Sequence, residues 1–236
     1  MRIKAKKVET EEFRPLKWPP IFPLDKGLVA WYSFDDRSGA VLRDRSGKGN
    51  HGTLVNTTWV AGCRGSAIRL NGTSAYVTIA NSTNLNFTSE PFTLVVLAKL
   101  SRISDYPYLL TKGNWSVAGY MLQIYSNGRI YFGTNQLGAY QVTYSNSGDI
   151  VLNAWTHVIV TRLGSAAKIY VDGIDKTAVA GTHINPASST VYALLLGRLT
   201  TSYLQGTIAL ARVYNRALSA TEAKRLAESE LMLVRH

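Results

Sequence analysis

Residues 155–173 read WTHVIVTRLGSAAKIYVDG. Apolar and polar side chains alternate through the stretch, and turn residues interrupt it at Leu163-Gly164-Ser165 and at Asp172-Gly173. A period near two, broken by residues that accept tight turns, predicts consecutive antiparallel β-hairpins. The same texture extends in both directions. MLQIYSNGRIYFG (121–133) places Asn127-Gly128 between two alternating runs, and these residues favour the positive φ of a hairpin turn. PFTLVVLAKLS (91–101) is a more continuous apolar strand, suited to the middle of a sandwich. SAIRLNGTSAYVTIA (66–80) predicts a pair of short strands joined at Asn71-Gly72. GLVAWYSF (27–34) is a further strand, and DDRSGAVLRDRSGKGNHGTL (35–54) is dense in Gly, Asp, Asn and Ser, as in a long ordered loop. Toward the C-terminus, YALLLGR (192–198) and GTIALARVY (206–214) supply the last strands. The fold class is therefore all-β.

The period changes only at the end. Ser219 stands three residues before Glu222, a capping box, and Ala220–Leu233 is rich in helix formers. A helix over 219–233 with Ala223, Leu226, Ala227 and Leu231 as its buried stripe is expected to cover part of the sandwich. At the other end, residues 1–24 carry Pro15, Pro19, Pro20 and Pro23, which fix φ and remove amide donors. With Phe13, Trp18, Ile21 and Phe22 they form a basic, proline-rich arm that either packs back or docks on a partner. The domain proper is expected to span 25–236.

Composition excludes several classes. The 236 residues are 46% hydrophobic and 17% charged, so the chain is neither a disordered tail nor a collagen. A single cysteine, Cys63, rules out an internal disulfide or a multi-cysteine metal cluster. No apolar run is long enough to span a bilayer, and no apolar segment follows the basic start as a secretory signal would require. The chain carries 26 Lys and Arg against 15 Asp and Glu, a net charge of +11. Twenty of those basic residues and twelve of the acidic ones lie beyond residue 24, so the excess is dispersed over the domain. Such a charge serves solubility and also attracts polyanions. No recognition helix, zinc finger or dense basic stripe accompanies it, which argues against nucleic acid as a partner.

GLVAWYSFDD, DRSGKGNHGTL, IRLNGTSAYVTI, PFTLVVLAKL, WTHVIVTRLGSAAKIYVDG and LLLGR…LQGTIALARVYNRALSATEAKRL stand in order across residues 27–226. This ordered set resembles the concanavalin A-like lectin/glucanase superfamily, in its laminin G-like, pentraxin-related branch. The resemblance implies a jelly-roll sandwich of two antiparallel sheets, one concave and one convex, and a role in carbohydrate binding or adhesion. It also implies two departures. A tryptophan is usual near the place held by Leu97, so a concave aromatic platform would be missing if Leu97 faces inward. An acidic residue is usual at Ala209, with Leu210 beside it often acidic too; in relatives that carboxylate helps to hold a structural Ca²⁺. The remaining half of such a site would be Asp35, Asp36 and the Asn71-Gly72 turn, although Asp35 and Asp36 also read as simple loop caps. No cofactor is required by any other motif, and His51, His157 and His183 lack metal-ligand spacing.

Glycoside hydrolysis needs two carboxyl groups facing one bond. Between residues 91 and 221 the acidic residues are Asp105, Asp149, Asp172 and Asp175, and none forms a same-face pair. The chain is therefore read as not an enzyme. Candidate sugar-binding residues cluster in the middle of the sequence: Tyr106, Tyr108, Lys112, Asn114, Trp115, Tyr120, Gln123, Asn135 and Gln136, with Tyr125, Tyr140 and Tyr144 nearby. Trp115, in a segment read as a loop, is either a stacking platform or an inward anchor, whereas Trp31, Trp155, Tyr131, Tyr170 and Tyr214 read as ordinary sheet aromatics. Two functions follow. One is a noncatalytic carbohydrate-binding or adhesion module, with acidic glycans favoured by charge. The other is a structural assembly protein (virion coat, decoration or fibre-associated) that contacts identical or neighbouring subunits through the sandwich and residues 1–24. Both place the protein outside the cell or on a particle surface, reached without a classical signal.

Overall fold

A computed structural model describes residues 24–63, 65–104, 106–115 and 117–231; the arm, apart from Leu24, lies outside them. The strands in chain order are β1 (Leu28–Tyr32), β2 (Val41–Leu42), β3 (Gly52–Val55), β4 (Thr58–Ala61), β5 (Ser66–Asn71), β6 (Tyr76–Ile79), β7 (Phe92–Arg102), β8 (Tyr108–Asn114), β9 (Ala118–Ile124) and β10 (Ile130–Gln136). They continue as β11 (Ala139–Ser145), β12 (Trp155–Leu163), β13 (Ala166–Val171), β14 (Ile174–Asp175), β15 (Thr177–Val179), β16 (Leu194–Leu196), β17 (Arg198–Leu199), β18 (Ser202–Tyr203) and β19 (Gln205–Tyr214), followed by helix α1 (Ala220–Leu231).

Two antiparallel sheets face each other as a jelly-roll sandwich. The first runs β14-β13-β12-β7-β19-β5-β4, with β1 also on β19; the second runs β15-β11-β10-β9-β8-β16-β6-β3-β2. Alternation explains the layering. On β7, Leu94, Val96, Ala98 and Leu100 point into the inter-sheet core, while Val95 and Leu97 point the other way, into a second apolar cluster with Ala223, Leu226 and Ala227 of α1. A strand buried on both faces reads as a continuous apolar run, which is why PFTLVVLAKL lacks alternation. Leu97 therefore lies on the outer face, among the residues that α1 packs against, and the idea of a concave platform lost at this position is corrected. Trp31, Trp155, Tyr170 and Tyr214 pack into this outer cluster.

The hairpin turns at Gly128, Gly164 and Gly173 are present between β9 and β10, β12 and β13, and β13 and β14. Asn71-Gly72 behaves differently. β5 and β6 do not pair: they belong to opposite sheets, so this turn crosses the sandwich. Asn71 Oδ1 accepts the amides of Thr73, Ser74 and Ala75 at 2.9–3.0 Å, which fixes the crossing. The expected capping box caps α1: Ser219 N donates to Glu222 Oε2 at 2.8 Å and Glu222 N to Ser219 Oγ at 3.3 Å.

The 35–54 segment is ordered by one carboxylate. Asp44, buried, accepts Trp31 N, Ser46 N, Asn50 N and Ser46 Oγ at 2.8–2.9 Å, and its own amide donates to His51 Nδ1. Asp44→Asn keeps the shape but replaces one acceptor oxygen with a donor. Leaving a buried amide unpaired costs about 1–3 kcal/mol, so denaturant unfolding of this variant is expected to show a loss of about 2 kcal/mol.

His183 closes the other end of the sandwich. Its ring nitrogens lie 2.8 Å from Thr134 Oγ1 and 2.8 Å from Thr143 Oγ1. Burial, with Arg162 nearby, pushes its pKa down to about 4 from 6.5. The unfolded imidazole takes up a proton that the folded one refuses, so stability falls as pH drops from about 6.5 to 4, by up to about 3 kcal/mol. Thermal unfolding of His183→Gln across this window is expected to show a flatter pH dependence than the parent.

Candidate functional site

The outer face of the second sheet carries a groove of about 450 Å³ lined by Tyr106, Tyr108, Trp115, Met121, Gln123, Tyr125, Tyr131, Gly133 and Val142. Register builds it. Cross-strand pairing sets Met121 opposite Gly133 and Gly133 opposite Val142, so the floor has a missing side chain between two apolar ones. A Cβ on Gly133 would come within 3.2 Å of Met121 Cγ. One pair further along, Tyr131 lies opposite Gln123 on β9 and Tyr144 on β11.

Four tyrosines form a ladder. Tyr106 meets Tyr125 edge-on at 4.7 Å, Tyr125 stacks on Tyr131 at 3.6 Å, and Tyr131 stacks on Tyr144 at 5.1 Å. Arg129 ends it, with its guanidinium 4.7 Å from the Tyr144 ring. A ring stacked on both faces offers a ligand its edge and its hydroxyl, not a face. Tyr131 is such a ring. Half-exposed rings are instead presented by Tyr106 (50%) and Trp115 (51%). Tyr106 is held in the left-handed region at φ 53, and its carbonyl accepts Gln123 Nε2 at 3.1 Å and Ser202 Oγ at 3.2 Å. Non-glycine residues kept in that region concentrate at ligand clamps. Burial pushes the Tyr108 phenol up to about 12, so it stays a neutral hydrogen-bonding group. No Asp or Glu occurs between Tyr106 and Gly148.

Four of the nine expected residues line this groove: Tyr106, Tyr108, Trp115 and Gln123. Three others are withdrawn from any ligand. Tyr120 is 1% exposed, packs against the stacked Phe87 and Phe92, and donates its hydroxyl to Leu85 O. Lys112 was read as a loop residue but lies on β8, buried, where Nζ donates to Asn81 Oδ1, Ser189 O and Tyr192 O; burial lowers its pKa to about 8. Asn135 is completely buried although it shares the face of Tyr131 and Gly133. Asn114 and Gln136 are half-buried at strand ends and do not line the groove. Conversely, Tyr131 was read as an ordinary sheet aromatic and is the centre of the ladder. The signal was in the sequence: Tyr125, Tyr131 and Tyr144 flank two hairpin turns at positions that register makes adjacent.

The residues proposed for calcium do not come together. Asp35 lies against Gly65, where a Cβ would approach its Oδ1 to 2.8 Å, beside the first residue of β5. Asn71 is the last residue of β5, roughly 20 Å along an extended strand, and its oxygen is already saturated by three amides. Asp36 is paired with Arg43 and Arg45. Asp35 and Ala209 do share a cavity of about 340 Å³, but Asp35 brings the one carboxylate among the described residues that line it, too few oxygens for a cation that wants six or more. Adding a chelator is therefore expected to leave the melting temperature unchanged.

The acidic residues are also dispersed. Asp172 accepts His157 N, Asp175 binds Lys168, and Asp149 binds Lys176; Asp105 lies outside the described residues. Among the described residues none of these carboxylates lines the groove.

A family model described as the concanavalin A-like lectin/glucanases superfamily matches residues 71–224. The chain belongs to that superfamily. No curated protein matches it. Among solved structures, it is similar to the binding domain of Paraclostridial Mosquitocidal Protein 1, with TM-score 0.73 and 16% identity over 88% of this chain and 53% of that one. It is similar also to domain 4 of AbnA, an extracellular arabinanase from Geobacillus stearothermophilus solved with arabinotriose, with TM-score 0.65 and 19% identity over 85% of this chain and 98% of that one. Trypanosoma rangeli sialidase gives TM-score 0.66 at 20% identity over 88% of this chain and 33% of that one. The chain thus spans about half the mosquitocidal domain and a third of the sialidase. At these identities the likeness establishes the fold. Among the described residues, no helix is long and apolar enough to cross a membrane.

Proposed function

We propose that this superfamily member is a noncatalytic glycan-binding module, and that the tyrosine groove on the second sheet is its site. The single observation that carries the reading is the groove itself: half-exposed aromatic rings at Tyr106 and Trp115, a row of phenol hydroxyls, an amide at Gln123, and no acidic side chain among the described residues that line it. Apolar bodies with a few placed polar groups recognise a ligand that is itself a hydrated ring with apolar faces. Bond cleavage would need a carboxyl pair that this floor lacks. Net charge of +11 favours acidic glycans, and such ligands place the protein outside the cell or on a particle surface. The solution with arabinotriose of a structurally similar arabinanase domain is in keeping with this reading.

The experiment is a glycan array spanning neutral and acidic oligosaccharides, followed by calorimetry on the hits. Gly133→Val serves as a variant with the groove floor filled. Binding that this variant loses supports the proposal; binding that it retains moves the site elsewhere. A second reading, assembly through subunit contacts, is favoured by one observation: Trp115, Val117 and Leu137 are exposed apolar residues at adjacent hairpin tips, and Leu137 N donates to Val117 O. Sedimentation of the full chain and of a chain lacking residues 1–24 tests it, since an oligomer lost on truncation or on Leu137→Ser would favour assembly.

A further inference from the structure

Beside the groove, on the same face, a second cation is held in a more constrained way than surface arginines usually are. The β17–β18 hairpin packs there through Leu199, which clusters with Tyr108 and Met121 of the groove, and through Ser202 Oγ, which donates to Tyr106 O. On this hairpin the Arg198 guanidinium packs against a pair of tyrosines, 4.5 Å from the Tyr76 ring and 5.1 Å from the Tyr203 ring, which themselves meet tilted at 6.3 Å. Its Nε donates to Thr200 O at 2.9 Å, and its own carbonyl accepts Thr111 Oγ1 at 2.9 Å. Thr200 is at φ 50, a backbone region that a β-branched residue enters only under constraint.

The two Nη groups of Arg198 have no ion-pair or hydrogen-bond partner among the described residues. No Asp or Glu occurs between Lys176 and Thr221 or between Tyr106 and Gly148, so among the described residues the strands and loops that make this face bring no acidic side chain to it. A guanidinium held by its Nε bond and by two ring contacts on one side is restricted in its rotamers, and its open edge matches a carboxylate or sulfate bidentately. Contact with tyrosine rings keeps the charge. From β10, which Arg129 precedes, to β6, which carries Tyr76, the sheet is four spacings wide, roughly 19 Å. The face is therefore wide enough for several sugar units, with a guanidinium toward each side.

We infer that Arg198, packed against Tyr76 and Tyr203 and bonded through Nε to Thr200 O, is the anion-reading subsite of the groove, taking the carboxylate of an acidic sugar or the sulfate of a sulfated one. This rests on the glycan-binding reading of the groove and adds to it the group that selects charge. The test compares matched probes: a galacturonate hexasaccharide with its fully methyl-esterified form, and sulfated with unsulfated dextran oligosaccharides. The native protein is expected to bind at least one charged member tenfold or more tightly than its neutral match. Arg198→Met is expected to reduce that ratio to about threefold or less while leaving neutral affinity and melting temperature unchanged. Arg198→Lys, which keeps the charge but not the fork, is expected to fall between. Loss on the carboxylate pair alone assigns a uronate-type ligand, and loss on the sulfate pair alone a sulfated one. An unchanged ratio in Arg198→Met overturns the inference, as does a native protein that binds neutral and charged members equally. Absence of binding to all four probes and to every array glycan overturns the groove reading itself, and the inference with it.

Discussion

Trp115→Ala is expected to weaken glycan binding by about thirtyfold to a hundredfold, measured by calorimetry on whichever array ligand binds best. Large aromatic anchors account for most of the truncation cost at binding surfaces, at about 2 kcal/mol or more each, and 1.4 kcal/mol is a factor of ten. Trp115 lines the groove from the β8–β9 tip, is half-exposed at 51% and lies outside the inter-sheet core, so its removal leaves that core untouched. The melting temperature should accordingly move by no more than a degree or two. Tyr131→Phe provides the contrast. It keeps both stacking contacts, at 3.6 Å and 5.1 Å, and removes only a hydroxyl, so a loss of about fivefold is expected. Trp115→Ala with full affinity would mean that the indole anchors the hairpin tip and that the ladder binds nothing through it.

The fold was largely legible because alternation, glycine-bearing turns and a capping box all act locally. The β9–β10, β12–β13 and β13–β14 hairpins and the N-cap of α1 were read from a few adjacent residues each, and each is present. Two features stayed hidden where the decisive neighbour is distant in sequence. Asn71-Gly72 joins two short strands as expected, but that these strands enter opposite sheets is a choice made by the partners β19 and β16 far along the chain. Lys112 looked like a loop cation because Gly113 and Asn114 follow it, whereas acceptors from residues 81, 189 and 192 draw it inside. At the site, residue type was informative and facing was not. Tyr120 and Tyr131 are equally aromatic and lie on adjacent strands; only the register of β9 against β10 sends one into the core and the other into the ladder. The Arg198 ring contacts were hidden for the same reason, since Tyr76 and Tyr203 are 127 positions apart.

Glu230 is the other residue whose burial its type does not announce, and the second large effect is expected there. The helix stripe was read as Ala223, Leu226, Ala227 and Leu231; the structure buries Glu230 with the first three. Its Oε1 accepts Arg212 Nη2 of β19 at 2.6 Å, with side-chain exposures of 4% and 10%, and the Arg212 guanidinium lies 4.8 Å from the Trp31 ring. Removing one member of a buried pair strands the other charge, at a cost of about 3–5 kcal/mol. Glu230→Met is therefore expected to lower stability by about 3–4 kcal/mol, a drop of about 10 °C for a domain of this size. Arg212→Met should cost a similar amount, part of it the lost contact with Trp31. The double variant, which strands no charge, should be clearly more stable than the sum of the two losses predicts, with a coupling of about 2 kcal/mol or more in a denaturant double-mutant cycle. Strictly additive losses would show that the pair contributes nothing specific and that α1 is held by its alanines and leucines alone. Because α1 packs on the first sheet and the groove lies on the outer face of the second, Glu230→Met should lose stability while keeping glycan affinity measured well below its unfolding temperature. Trp115→Ala should do the reverse, and that opposition distinguishes a binding surface built on an independent scaffold from one that merely reports whether the sandwich is intact.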